Sequence, residues 1–356
     1  MHRDPLAGGR VTTIELPESP RILVIRRDNI GDLLCTTPLI AALRRSYPTA
    51  WIGALVNSYN APALAGNPCV DEILSYDKSK HLTTWGAKLE AYWRRLGLIR
   101  RLRGRHLDLA ILAASGYQAS AHRFVVLAAP KRTLGYSLAN IHLTPELHAP
   151  QGVHEVEATF GMLAALGIQG PPPPMMLVPD AAETVAIAPL VPSGKGPLVG
   201  LHISSRKEGQ RWPIERFAAL AWQLHASYGA RFLLFWAPGA ANDPCHPGDD
   251  DKAAALIREL AGLPFAAPST PRLAGLIAGL SLCDRVVCSD GGAMHVAAAL
   301  GKPIVCFFGD SDAVRWRPWG VPHVILQKDS CAVGDITVAE ASLGFARLEA
   351  SLGKRD

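Results

Sequence analysis

Short apolar β-rich runs alternate with helical runs twice along the chain, and four consecutive prolines stand between the two series. Arg21–Arg26 is a β-rich run that ends in the polar turn Arg27–Asp32. Leu33–Ser46 has helical spacing, with Leu34, Leu39, Ala42 and Leu43 on one face. Ala50–Val56, Val70–Ser75 and Leu107–Leu112 read as strands. Leu82–Arg103 reads as a long helix, basic along Arg94, Arg95, Arg100, Arg101 and Arg103. Gly170–Pro174 cannot continue a helix or sit in a central strand, so it is a stiff exposed connector. The alternation then restarts, with strands at Pro197–Ile203, Arg231–Trp236, Asp284–Cys288 and Pro303–Phe308. Helices are expected at Pro213–Tyr228, Asp250–Leu260, Pro271–Leu280, Met294–Leu300 and Val338–Leu352. Strand–helix alternation implies parallel sheets covered by helices on both faces. Two such halves predict a ligand cleft between them, beyond the carboxyl ends of the strands.

Composition agrees with a large core. Of 356 residues, 49% are hydrophobic and 19% charged, which excludes a mainly disordered chain. Glycine and proline show no period, so collagen-like and repeat folds are unsupported. The net charge of +5 permits anionic partners without indicating nucleic acid, and no nucleic-acid partner is expected. The seven cysteines are odd in number and lack a C-x-x-C, the usage of a reduced cytoplasmic protein. Residues 1–20 have no apolar signal region and read as a flexible tail. No apolar stretch approaches 18 residues, so no transmembrane helix is expected.

Three turns could carry chemistry. In Arg26–Asp32, Gly31 would let backbone approach a ligand, and Asp32 is either a general base or a cap for the helix that follows. The two roles compete, because a capping hydrogen bond stabilises a carboxylate and weakens it as a base. The loop His202–Lys207, continuing to Gln210-Arg211-Trp212-Pro213, places hydroxyls and cations between a strand and a helix. That suits a diphosphate, or merely a solvated loop. The run Cys288–His295 takes a buried strand through Gly291 and Gly292 into a helix, which aims N–H groups and the helix dipole at an anion. His295 taken alone reads as a packed helix histidine.

Other motifs carry less. Asp249, Asp250 and Asp251 open a helix, where the macrodipole favours acids, and Cys245-His246 is too sparse for zinc; no metal site is expected. Trp316 and Trp319 beside arginines could stack on a base or pack a loop. A nucleotide-dependent oxidoreductase would carry a G-x-G-x-x-G after an early strand, and none is present.

RILVIRRDNIGDLLCTTPLIAALRRSYP resembles the N-terminal signature of glycosyltransferase family nine, the lipopolysaccharide heptosyltransferases and their relatives. CSDGGAMHVAAALGKPIVCFFGDSDAVRWRPWG resembles its C-terminal signature, and HISSRKEGQRWPIERFAAL its phosphate-binding loop. The resemblance implies a GT-B fold of two Rossmann-like domains facing across a cleft, with an acceptor-binding domain at 21–170 and a nucleotide-sugar domain at 171–335. A terminal helix at 336–356 would pack back across the domains. It implies metal-independent, inverting transfer of a heptose or related sugar from an ADP-sugar, with no cofactor. Asp32 matches the family's base, with Asn29 and Gly31 on the acceptor side. Ser204, Ser205, Arg206, Lys207, Arg211, Asp290, Gly291, Gly292, Ala293, Met294 and His295 match the donor side. Where many members carry Lys two residues before the Trp-Pro pair, this chain has Gln210, and Arg206 or Lys207 supplies the charge. The implied acceptor is lipopolysaccharide core, a glycolipid met in the cytoplasm or at the cytoplasmic face of the inner membrane. A small-molecule or protein acceptor, or a non-catalytic nucleotide-binding protein, stays open as the alternative.

Overall fold

The computed structural model describes residues 13–76, 85–137, 147–242 and 248–353. It divides into two compact units at Pro173 and Pro174. Two short segments of the first half, Asn29–Cys35 and Tyr59–Asn67, belong to the second unit.

In chain order the first half contains β1 (Arg21–Ile25), α1 (Ile30–Leu34), α2 (Thr37–Ser46), β2 (Trp51–Asn57), β3 (Glu72–Tyr76) and α3 (Trp85–Gly104). It continues with β4 (Leu109–Leu112), α4 (Ala119–Ala128), β5 (Arg132–Leu134) and α5 (Glu155–Gly161). The strands pair in parallel in the order β3-β2-β1-β4-β5. β1 is buried from Ile22 to Ile25, as a central parallel strand covered on both faces must be. Leu23, Leu55, Leu102, Leu112 and Phe124 form the core against one face.

Two expectations change here. The helix expected over Leu33–Ser46 is two helices. Pro38 lies in the first turn of α2, and in a continuous helix its ring would collide with the carbonyl of Leu34. The break lets α1 join the second unit while α2 stays in the first. Residues 13–20, read as part of a flexible tail, are tied down. Ile14 is buried, and its N–H donates to the Ala165 carbonyl at 2.7 Å. Residues 1–12 of that tail lie outside the described residues, as do residues 82–84 of the long basic helix.

The second half contains α6 (Ala181–Ile187), β6 (Leu198–His202), α7 (Ile214–Tyr228), β7 (Arg231–Phe235), α8 (Asp250–Glu259), β8 (Phe265–Ala266) and α9 (Leu273–Leu282). After these come β9 (Arg285–Ser289), α10 (Gly292–Ala299), β10 (Ile304–Phe308), α11 (Ala313–Trp316), β11 (His323–Gln327) and α12 (Val338–Leu352). Its strands run parallel in the order β11-β10-β9-β6-β7-β8, the doubly wound arrangement in which the order reverses between β6 and β9. Trp212 anchors the core, its ring centre 4.5 Å from that of Phe307 and 4.9 Å from that of Phe217. Its Nε1–H donates to the Ile336 carbonyl at 2.8 Å, so the indole is buried without losing its hydrogen bond. The terminal helix, expected to pack back across the domains, inserts Ala341, Phe345 and Leu348 into this same core.

Candidate active site

Doubly wound sheets bind ligands where the strand order reverses, because the loops on either side of that point part company and leave a crevice. In the second unit the point lies beyond His202 of β6 and Cys288 of β9, which are register partners. The two phosphate-loop candidates leave the sheet there. They are joined by Gln210, a buried residue. Its Nε2 donates to Asp290 Oδ2 at 3.1 Å and to Ser311 Oγ at 2.6 Å, while its Oε1 accepts from Ser205 Oγ at 3.2 Å. One neutral amide thus ties together the loops after β6, β9 and β10. A lysine could not accept from Ser205, so Gln210 makes a link that the usual cation would not.

The loop after β6 is held from within. Arg211 Nε donates to the Ser205 carbonyl at 2.9 Å. Ser204 Oγ accepts from the Ala237 N–H at 2.8 Å, which leaves its own O–H to donate. Arg206 and Lys207 are exposed, and Lys207 Nζ lies 2.9 Å from Asp310 Oδ1. That partner holds the Asp310 carboxyl below its ordinary range. His202, at the floor, is partly exposed, but its Nδ1 is buried, and this burial lowers its pKa to about 4, so the ring is neutral at physiological pH.

Beyond β9, Gly291 precedes α10 at φ 157°. The N–H groups of Gly292, Ala293 and Met294 open the helix, where no preceding turn supplies acceptors. The side chain of Met294 does not face a ligand. It is fully buried, with Cys306 Sγ 3.1 Å from its sulfur, so Met294 and the small Ala293 offer their backbone only.

The Asp32 segment packs on α10 within this same unit. Asn29 is the cap residue of α1, and Asp32 stands three positions later. Its Oδ2 accepts from the Asn29 backbone N–H and from Asn29 Nδ2, both at 3.0 Å. Asp32 therefore serves the cap from inside the first turn, as in a capping box, rather than preceding the helix. Gly31 lies against the His295 ring, and a Cβ there would stand 2.9 Å from its Cγ. His295 is buried, with Cys35 Sγ 3.9 Å from its Nδ1 and Trp316 edge-on at 6.0 Å between ring centres. The arrangement brings Asn29, Gly31, Asp32 and His295 together.

Two features lay outside the candidates. Gln210 is one, and its signal in the sequence is the Gln-Arg-Trp-Pro run before a helix, at a position without charge. Asp310, the partner of Lys207, is the other, carried in the Gly-Asp-Ser-Asp run after β10. The segment before α8 lies partly outside the described residues, Cys245 and His246 included. Asp249 pairs with Lys252. Among the described residues no group of three His, Cys, Asp or Glu is placed to hold a metal ion.

The family model for glycosyltransferase family 9 (heptosyltransferase) matches residues 95–334, well over half of the chain. The chain belongs to glycosyltransferase family 9. It is a glycosyltransferase, and its fold is GT-B, built from two Rossmann-like α/β units. Lipopolysaccharide heptosyltransferase 3 of Escherichia coli is 26% identical over 307 residues, covering 81% of this chain and 83% of that protein. A family 9 glycosyltransferase structure from Veillonella parvula superposes with a TM-score of 0.79 at 18% identity, covering 96% of this chain and 99% of that one. The E. coli ADP-heptose lipopolysaccharide heptosyltransferase II structure does so at 0.72 and 20%, covering 94% and 99%. At those identities the two structures show the fold. The family model begins at Arg95, so Asp32 and its neighbours rest on the geometry above and not on that match.

Proposed function

We propose that this glycosyltransferase moves a heptose or a related sugar from an ADP-sugar to an acceptor hydroxyl of lipopolysaccharide core, with inversion and without a metal ion. The observation that carries the reading is the joining of the β6 and β9 loops through Gln210 at the reversal point of the second unit. It gathers hydroxyls, cations and the N-terminus of α10 where a nucleotide diphosphate would gain charge on leaving. The relatives named for ADP-heptose and lipopolysaccharide supply the sugar and the acceptor class.

In this reading the reaction is one displacement at the anomeric carbon. Asp32 takes the proton of the acceptor hydroxyl as that oxygen attacks. Ser204, Lys207 and the N–H groups of Gly292 to Met294 stabilise the departing diphosphate, while the Ser205 hydroxyl, donating to Gln210, holds the bridge between the loops. The first unit binds the acceptor and the second the donor. The test is mass spectrometry of products formed by the purified chain from ADP-heptose and lipopolysaccharide core acceptors. A product heavier by one heptose with an inverted anomeric centre is expected; consumption of ADP-heptose with no glycosylated product counts against the reading.

A further inference from the structure

In the first unit, Arg27 and Arg95 form no ion pair among the described residues. Arg27, just past β1, lies with its guanidinium carbon 4.5 Å from the ring centre of Tyr76 and 4.9 Å from that of Phe124. Its Nε donates to the Tyr76 hydroxyl. Arg95 of α3 reaches the same Phe124 ring, at 4.5 Å. Two cations therefore share one aromatic ring and lie no further apart than those two distances laid end to end. Stacking leaves the edges of each guanidinium fork available for in-plane hydrogen bonds.

One donor on those edges is unmatched. Arg27 Nη1 is buried and has no hydrogen-bond partner among the described residues. A buried donor of a charged group is costly to leave unmet, so such an atom calls for an explanation. The neighbouring acids among the described residues are engaged elsewhere. Asp28 Oδ2 lies 3.2 Å from Arg26 Nε and accepts from Gln118. Glu155 accepts from Arg26 at 2.9 Å and from Ser115 at 2.8 Å. Glu72 pairs with Arg101 and Arg105, and Glu90 with Arg94. Arg95 has no ion pair among the described residues. Burial first, and then the charge of Arg95, lower the Arg27 pKa to about 10, with Asp28 opposing.

We propose that Arg27 and Arg95 form a binding site for a phosphate-class oxyanion, with Arg27 Nη1 as its inner donor and Phe124 and Tyr76 as the platform that holds both forks. An oxyanion accepting charge-assisted hydrogen bonds of ~2.8 Å from each fork bridges a gap of this size and cancels the repulsion between them. If the proposed transfer reaction holds, the anion belongs to the acceptor. Phosphate binding tests the site and product formation tests the reaction, so either can fail without the other.

The experiment is calorimetric titration of the full chain with inorganic phosphate at constant ionic strength, with ADP saturating so that nucleotide sites are filled. Arg95→Gln is the informative variant, because Arg95 is only half-buried on a helix and glutamine is a good helix former. It is expected to weaken phosphate binding at least about tenfold, the loss of one charge-assisted contact. Arg95→Lys, which keeps the charge but not the fork, should fall between the two. Co-sedimentation with phosphatidic-acid vesicles, tested on the same proteins, distinguishes a lipid-borne phosphate from a soluble one. Phosphate or vesicle binding that Arg95→Gln removes supports the site. Equal binding by the wild type and Arg95→Gln, or no binding by the wild type to either probe, overturns it.

Discussion

Asp32 has two duties that compete for the same carboxylate. Its Oδ2 is occupied by the Asn29 N–H and side-chain amide, and the proposed reaction asks it to take a proton. The capping contacts fix its orientation, which a positioned base needs. Asp32→Ala should lower kcat by roughly 10²–10⁴-fold, the range for loss of a general base, while ADP affinity measured by calorimetry stays within about threefold. Transfer at the wild-type rate would remove Asp32 from the mechanism. His202 makes a different prediction, about pH. Burial lowers its pKa to about 4 from an ordinary 6.5. Between those values the unfolded chain binds the proton and the folded chain does not, so stability falls as pH drops from about 6.5 to about 4. The full loss is about 3 kcal/mol. Denaturant unfolding of the wild type and His202→Phe at stepped pH should show the variant lacking this part of the slope. Identical slopes would contradict the assignment.

Elements differ in how plainly the sequence announces them. β1, β2, β4, β6, β7, β9 and β10 were expected within two residues of their observed ends, since buried parallel strands carry continuous apolar runs, and so was the edge strand β3, of which only Leu74 is buried. β5, β8 and β11 were not, and all three are sheet edges. β5 and β8 have three and two residues, too short for a pattern, and β11 has no fully buried residue and ends on the exposed Gln327. α4 escaped because its stop is Ala129, at φ 50°, where a glycine would have marked the end. The candidate site divides the same way. The turns after β6 and β9 are local and legible. The Gln210 bridge joins residues 80 apart in the chain, which no local pattern encodes. α12 is the opposite case, legible to the residue because its Thr337–Glu340 capping box is local. Lys328 and the Thr337 cap lower the Glu340 pKa to about 2. A depressed carboxylate contributes stability above its unfolded value and loses it as pH falls through the folded one. The difference in melting temperature between wild type and Glu340→Gln should therefore be constant above about pH 5 and shrink toward pH 2. A difference that persists unchanged at pH 2 would assign the cap to something other than the ionised carboxylate.

At the scale of the whole molecule, chain order and structural membership part company at Asn29–Cys35. This segment follows β1 of the first unit, yet its contacts lie in the second. Ile30 approaches Gly292, and the His295 ring fills the space over Gly31. The cause is local: Pro38 ends any continuation of α1 into α2, so the short helix is free to be held by α10. If packing decides, the stability of this segment belongs to the second unit. Hydrogen exchange can separate the two memberships, since amides open with the cooperative unit that protects them. Phe345 is fully buried in the second unit's core, and Phe345→Ala should cost about 3–5 kcal/mol there. In the first unit, Arg26 and Glu155 form a buried ion pair at 2.9 Å, and Glu155→Ala leaves the buried Arg26 with Asp28 as its remaining acid, at a cost of up to about 3–5 kcal/mol. The amides of Leu33 and Cys35, bonded within α1, should exchange faster in Phe345→Ala, together with those of β6 and β9, and stay near wild type in Glu155→Ala. The amides of β1 and β4 should respond the other way. If Leu33 and Cys35 followed β1 instead, covalent continuity and not the α10 contact would govern the helix that carries Asp32. The candidate base would then be a property of the first unit.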